Sequence, residues 1–155
     1  YPKPKPLINI NSKPMICHAV ESLGIAGEYF FLIRNNEHSD EIVQTIKNSF
    51  NNYHIKFTNT LTKGPACSCL LFEDIISRDE ELVIANCDQI MWWNSEQFLA
   101  AARNFSLDGL VVTYTSTTIS TSSIDKAPLS NISINLPGQA TRISTPSSIA
   151  LNCFL

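Results

Sequence analysis

Residues 28–34 read EYFFLIR, a dense run of aromatic and aliphatic side chains of strand length. The run does not alternate between apolar and polar, so it fits a strand buried on both faces. Such strands belong to parallel sheets covered by helices. The flanking chain agrees. Upstream, Ile16, Ala19, Val20 and Leu23 fall on one face at helical spacing, with Ser12 placed to cap the helix, Pro14 in its first turn and Gly24 to end it. Downstream, Ser39 or Asp40 opens a second helix whose stripe is Ile42, Val43, Ile46 and Phe50. YHIKFT at 53–58 alternates and reads as a more marginal strand. Gly64-Pro65-Ala66 leads into a third helix carrying Leu70, Leu71 and Ile75. LVIAN at 82–86 is a strongly apolar strand, Asn94 or Ser95 caps a fourth helix with Phe98, Leu99 and Ala102, and LVVTYT at 110–115 is a further strand. Strand and helix thus alternate from residue 7 to about 115, which predicts a doubly wound α/β domain with a mostly parallel sheet and helices on both faces.

The remainder differs in composition. Fifteen of the thirty-four residues from Thr115 to Ser148 are Ser or Thr, and only Asp125, Lys126 and Arg142 carry charge. Pro137-Gly138 between the short stretches ISIN at 132–135 and ATRI at 140–143 predicts a β-hairpin, and 149–154 predicts a closing strand. The expectation is one domain over 1–155: an α/β core over 1–116, then a Ser/Thr-rich hairpin and closing strand over 117–155. Eleven basic against fourteen acidic residues give a net charge of −3, which disfavours nucleic-acid binding through a basic surface. No apolar run approaches ~18 residues, so no membrane insertion by a helix is expected. No apolar leader segment is visible near Tyr1, and the five irregularly spaced cysteines (17, 67, 69, 87 and 153) read as reduced, mostly buried thiols of a cytoplasmic protein.

In an open α/β sheet, ligands gather at the carboxyl ends of the strands. Three features of this chain belong there. Lys3, Lys5 and Lys13 form a locally positive start, since no acid precedes Glu21, and YPKPKP is expected to be extended. A lysine between prolines suits a phosphate as a point charge. Thr62-Lys63-Gly64-Pro65-Ala66 lies at a strand-to-helix turn where small residues admit a flat ligand close to the backbone. Asp88 follows the 82–86 strand, where a carboxylate can hold Mg²⁺ against substrate phosphates, with Asn86 and Gln89 as neighbours. His18 is expected to be structural, and Trp92-Trp93 to pack before it stacks on a ligand. No nucleophile motif pairs with any of the three histidines.

Taken in order, Pro4-Lys5-Pro6-Leu7-Ile8, Lys13-Pro14-Met15-Ile16, Gly64-Pro65-Ala66 and Asn86-Cys87-Asp88-Gln89 resemble the sugar-phosphate nucleotidyltransferase family over residues 1 to 116. The likeness is greatest to short members associated with capsule and lipopolysaccharide synthesis. The resemblance implies a Rossmann-like domain akin to GT-A glycosyltransferases. It implies a reaction in which a nucleoside triphosphate and a sugar phosphate give a nucleotide sugar and pyrophosphate. By the same resemblance, Lys5 neutralises phosphate charge, and Lys13 belongs to the segment supporting the phosphate loop. Gly64, Pro65 and Ala66 take the base, Asn86 lines the nucleotide, and Asp88 holds Mg²⁺. A role in surface polysaccharide synthesis follows, and association of copies through a sheet edge is compatible with it.

The chain departs from the family in ways that bear on function. The family opens with an apolar strand, central in the sheet, and a glycine-rich loop that cradles the triphosphate. This chain starts after that loop, so the resemblance implies a sheet without its middle strand. Ser12 stands where many relatives carry Gly, Ala150 stands where Gly is usual, and residues 142–147 hold no acid for the sugar. Two other readings are therefore carried alongside: a GT-A glycosyltransferase using a nucleotide-sugar donor, and a truncated or degenerate module that binds a nucleotide without catalysis.

Overall fold

The computed structural model describes residues 3–77, 79–104 and 109–112, together with the backbone of 148–153. The chain divides into two compact units, 1–91 with 144–155, and 92–143. The first unit is α/β and contains every residue of the candidate site.

It opens with a single 3₁₀ turn, Lys5–Leu7, in which the Leu7 N–H donates to Pro4 O (2.9 Å) and the Ile8 N–H to Lys5 O (3.1 Å). The sequence predicted a fully extended start. Pro6 and Leu7 are buried and anchor the turn. β1 (Asn9–Ile10) and β2 (Lys13–Pro14) then form a small antiparallel hairpin. Its two-residue loop, Asn11 and Ser12, has positive φ at both positions (48° and 65°), as a type I′ hairpin turn requires. Ser12 is therefore a turn residue and not the predicted helix cap. α1 (Met15–Leu23) starts two residues later than expected, with Pro14 at the cap position. Gly24 ends it in the left-handed conformation (φ 60°), where a Cβ would be strained.

β3 (Glu28–Arg34), β4 (Tyr53–Thr58), β5 (Leu82–Asn86) and β6 (Ser148–Cys153) make one sheet in the order β4-β3-β6-β5. Every neighbouring pair is parallel. β3 is buried on both faces, with Phe30 to Ile33 all at 1% exposure or less, as its composition predicts. On one face, Phe30 and Leu32 pack with Phe72 and Ile76. On the other, Tyr29 and Phe31 meet Phe50 at ring-centroid distances of 5.7 and 5.5 Å. Phe50 follows α2 (Ser39–Ser49). The capping residue of α2 is His38; Ser39 is its first helical residue, accepting the Asn36 N–H and donating to Arg34 O.

The expectation of a sheet lacking its middle strand is corrected here. β6 occupies that position, pairing Phe30 with Ala150 on one side and Ile84 with Ala150 on the other. The predicted closing strand at 149–154 is thus present at 148–153. It satisfies the inner edges of β3 and β5, whose backbone groups would otherwise be unpaired within the sheet.

Two other expectations change. The third helix is short: α3 (Pro65–Cys69) gives way to a 3₁₀ turn at Leu70–Phe72. Leu70, Leu71 and Ile75, the apolar residues expected on the third helix, are exposed, and Ser68, Phe72 and Ile76 are buried. Among the described residues β5 lies at the edge of the sheet, with Leu82 and Ile84 exposed, so its apolar character exceeds its burial there. In the second unit, α4 (Ser95–Asn104) is capped by Asn94, whose Oδ1 accepts the Gln97 N–H at 2.9 Å. Trp93 packs on Phe98, and Trp92 is exposed. Residues 109–112 are not in a strand. The rest of the predicted 110–115 strand and the predicted hairpin at 132–143 lie outside the described residues. No helix among the described residues is long and apolar enough to cross a membrane.

Candidate nucleotide and phosphate site

Because the sheet is parallel, β3, β4, β5 and β6 all end on one edge, at Arg34, Thr58, Asn86 and Cys153. The chain runs from β3 outward to β4, then crosses to β5 at the opposite side of the sheet. The carboxyl edge of a sheet whose strand order reverses is where α/β proteins place ligands.

Asp88 lies there, two residues past β5. Cys87 beside it is buried at 1% exposure, which fixes the loop where it leaves the strand. The Asp88 carboxylate itself stays partly open, with 23% of its side chain exposed. Lys5 meets it: the Lys5 ammonium stands 3.4 Å from Asp88 Oδ2, across 83 positions of sequence. The two residues named from opposite ends of the core therefore converge on one point. The ammonium remains 56% exposed, so both charges can turn to a ligand in solvent. A lysine and a carboxylate this close offer a phosphate group one direct cation and a carboxylate that takes a second.

The start of the chain is held in place by a set of side chains. Lys3 pairs with Glu41 of α2 at 2.7 Å. Lys13 pairs with Glu21 of α1. The Met15 N–H donates to Ile8 O (2.8 Å) and His18 Nε2 donates to Ile10 O (2.8 Å), which gives His18 the structural role expected of it. Lys13 is thus engaged along α1, and the structure joins it to Glu21 rather than to Lys5 and Asp88.

Gly64, Pro65 and Ala66 open α3 after β4. Gly64 O accepts from the Ser68 N–H (3.1 Å), from Ser68 Oγ (3.2 Å) and from Thr62 Oγ1 (3.3 Å), and Thr62 Oγ1 lies 2.8 Å from Ser68 Oγ. This fixes the turn. A Cβ built on Gly64 meets nothing within 4 Å, so the space beside its backbone is open, and Pro65 and Ala66 are exposed. The segment reaches the same sheet edge by topology. Asn86 is half-buried at the end of β5 and sits opposite Asn152 of β6 in register.

Among the described residues, no group of three or more His, Cys, Asp or Glu could hold a metal by itself. Asp88 as a single carboxylate fits Mg²⁺, which is commonly bound through one or two carboxylates together with substrate phosphates and water. Cys17, Cys67, Cys69 and Cys87 are free thiols: Cys17 and Cys87 are buried, Cys67 is exposed and Cys69 is intermediate. Burial pushes the Cys69 thiol up to about 11, which makes it a poor nucleophile near neutral pH. Ser22, which the sequence did not mark, accepts the N–H of Met91, three residues past Asp88, at 2.9 Å.

No protein-family model matches the chain, and no solved structure matches it. Several curated proteins do. It is 29% identical to the mannose-1-phosphate guanyltransferase of Emericella nidulans over 113 residues, covering 70% of this chain and 31% of that protein. It is 33% identical to the enzyme of the same name from Yarrowia lipolytica and 31% to that from Saccharomyces cerevisiae. Each of these matches spans 91 residues, 56% of this chain and 25% of the relative. The chain spans about a quarter to a third of the length of the curated relatives it matches, and their names are those of sugar-phosphate nucleotidyltransferases.

Proposed function

We propose that this chain forms the phosphate-handling part of a nucleotidyltransferase that joins a nucleoside triphosphate to a sugar phosphate, giving a nucleotide sugar and pyrophosphate. The observation that carries the reading is the meeting of Lys5 and Asp88 at 3.4 Å on the carboxyl edge of a parallel sheet. The names of the relatives favour GTP and mannose 1-phosphate as the substrates, and so a guanosine-diphosphate sugar as the product.

In this reading the chain is Rossmann-like and its residues act by position and charge. The reaction is displacement at the α-phosphorus by a sugar-phosphate oxygen, with pyrophosphate leaving, so no protein nucleophile is needed. The Lys5 ammonium turns from Asp88 to a phosphate oxygen and offsets charge that grows there. Asp88 provides the carboxylate for Mg²⁺, which when bound neutralises phosphate charge. The open backbone at Gly64, with Pro65 and Ala66 beside it, receives the base, and Asn86 lies alongside. Lys13, tied to Glu21, supports the Lys5 segment from α1.

The test is pyrophosphate release by the full chain from GTP and mannose 1-phosphate with Mg²⁺. The reading expects release that needs both substrates and is lost in Asp88→Asn. Transfer of sugar from a nucleotide-sugar donor without pyrophosphate would assign a glycosyltransferase instead. An Asp88→Asn chain that keeps full activity would remove the site from this place.

A further inference from the structure

Ser22 lies near the carboxyl end of α1 and is half-buried. Its hydroxyl oxygen accepts the Met91 N–H at 2.9 Å and its hydrogen is donated to Ala19 O at 2.8 Å. The two bonds use the hydroxyl in opposite senses, so both hold at once. The contact with Met91 spans 69 positions and reaches the loop that carries Asp88. That loop is consequently fixed at two points: Cys87, buried where it leaves β5, and Met91, bonded to α1. Asp88 lies between them.

We infer that Ser22 is a positioning residue for Asp88, holding the 88–91 loop so that the carboxylate stays against Lys5. The same helix governs the other partner. The Met15 N–H at its start bonds Ile8 O, and the Ile8 N–H bonds Lys5 O in the turn before it. α1 therefore sets the ammonium through its amino end and the carboxylate through Ser22. A single helix bracing the segments that carry both halves of a charged site lowers the reorganisation needed when a ligand arrives. A serine is suited to this place because its short hydroxyl can serve a helix carbonyl and an incoming amide together, which alanine cannot.

The inference rests on the role given to Asp88 in the proposed function, and its test separates the two. Amide hydrogen exchange at Met91 and calorimetric binding of GTP with and without Mg²⁺ are measured on the full chain, on Ser22→Ala and on Ser22→Thr. Ser22→Ala is expected to speed exchange at Met91 and to weaken the Mg²⁺-dependent part of GTP binding, each by about threefold to tenfold, the loss expected for one hydrogen bond. Metal-free GTP binding should stay unchanged, and Ser22→Thr, which keeps a hydroxyl, should restore both readouts. Unchanged Met91 exchange in Ser22→Ala overturns the inference. Faster exchange with unchanged Mg²⁺-dependent binding also overturns it, since Ser22 would then serve only the fold. Should the unaltered chain show no Mg²⁺-dependent GTP binding, the functional reading fails, while the exchange comparison still decides whether Ser22 holds the loop.

Discussion

The Lys5–Asp88 pair shows which residues declare themselves in a sequence. A lysine between prolines and an aspartate just past an apolar strand each carry a chemical signal, and the order of the motifs links them. Ser22 carries none, because its partner is a backbone amide 69 positions away, and every residue type but proline has one. Ser12 lies between these cases. Its departure from the glycine usual in the resembling family is readable, but the consequence, a side chain held at a φ of 65° in a two-residue hairpin loop, appears only in the structure. Ser12→Gly should therefore stabilise the chain by up to about 1 kcal/mol, because left-handed backbone costs a side-chain-bearing residue that order of free energy. Thermal unfolding should rise by a few degrees, and an unchanged or lower midpoint would contradict the turn geometry. Cys69 gives a second residue-scale prediction. Its raised pKa of about 11 means the thiol form persists through neutral pH and gives way to thiolate only as the pH rises toward that value. In single-cysteine variants at pH 8, alkylation at Cys69 should be at least about tenfold slower than at an ordinary exposed thiol, after allowing for its greater intrinsic nucleophilicity.

At the scale of elements, β3, β4 and β5 are legible because apolar density and alternation are local properties of the chain. The segment after Gly64 is not, because it presents two competing helical stripes. Leu70, Leu71 and Ile75 are the more apolar set, whereas the buried set, Ser68, Phe72 and Ile76, runs at intervals of four and begins with a serine. That serine is buried because its hydroxyl and N–H both serve Gly64 O at the start of α3, a demand that composition does not reveal. Phe72 is the decisive member, packing edge-on to Phe30 at 5.5 Å. Phe72→Ala should cost about 3–5 kcal/mol in denaturant unfolding, while Leu70→Ser should cost less than about 1 kcal/mol. The reverse order would place the wrong stripe in the core.

At the scale of the molecule, the sheet is completed by a strand far along the chain from its neighbours. The 149–154 stretch reads as a strand, but its place between β3 and β5 is a non-local pairing that no local pattern encodes. Since β6 pairs on both sides, Ala150→Pro would remove a backbone donor from the middle of the sheet. Loss of cooperative unfolding is expected in that variant. Retention of a native-like melt would mean that β3 and β5 do not depend on β6. The central claim is that Lys5 and Asp88, meeting at the carboxyl edge of this sheet, serve a single Mg²⁺-bound phosphate group, the ammonium on its oxygen and the carboxylate on its metal. Its most direct test is calorimetry of GTP binding, with and without Mg²⁺, to the full chain, Lys5→Met and Asp88→Asn. The account predicts Mg²⁺-dependent binding by the unaltered chain. It predicts a tenfold or greater loss in Lys5→Met, in line with about 1.5–3 kcal/mol for a charge-assisted contact, and no response to Mg²⁺ in Asp88→Asn. Mg²⁺-dependent binding that survives intact in both variants would contradict it.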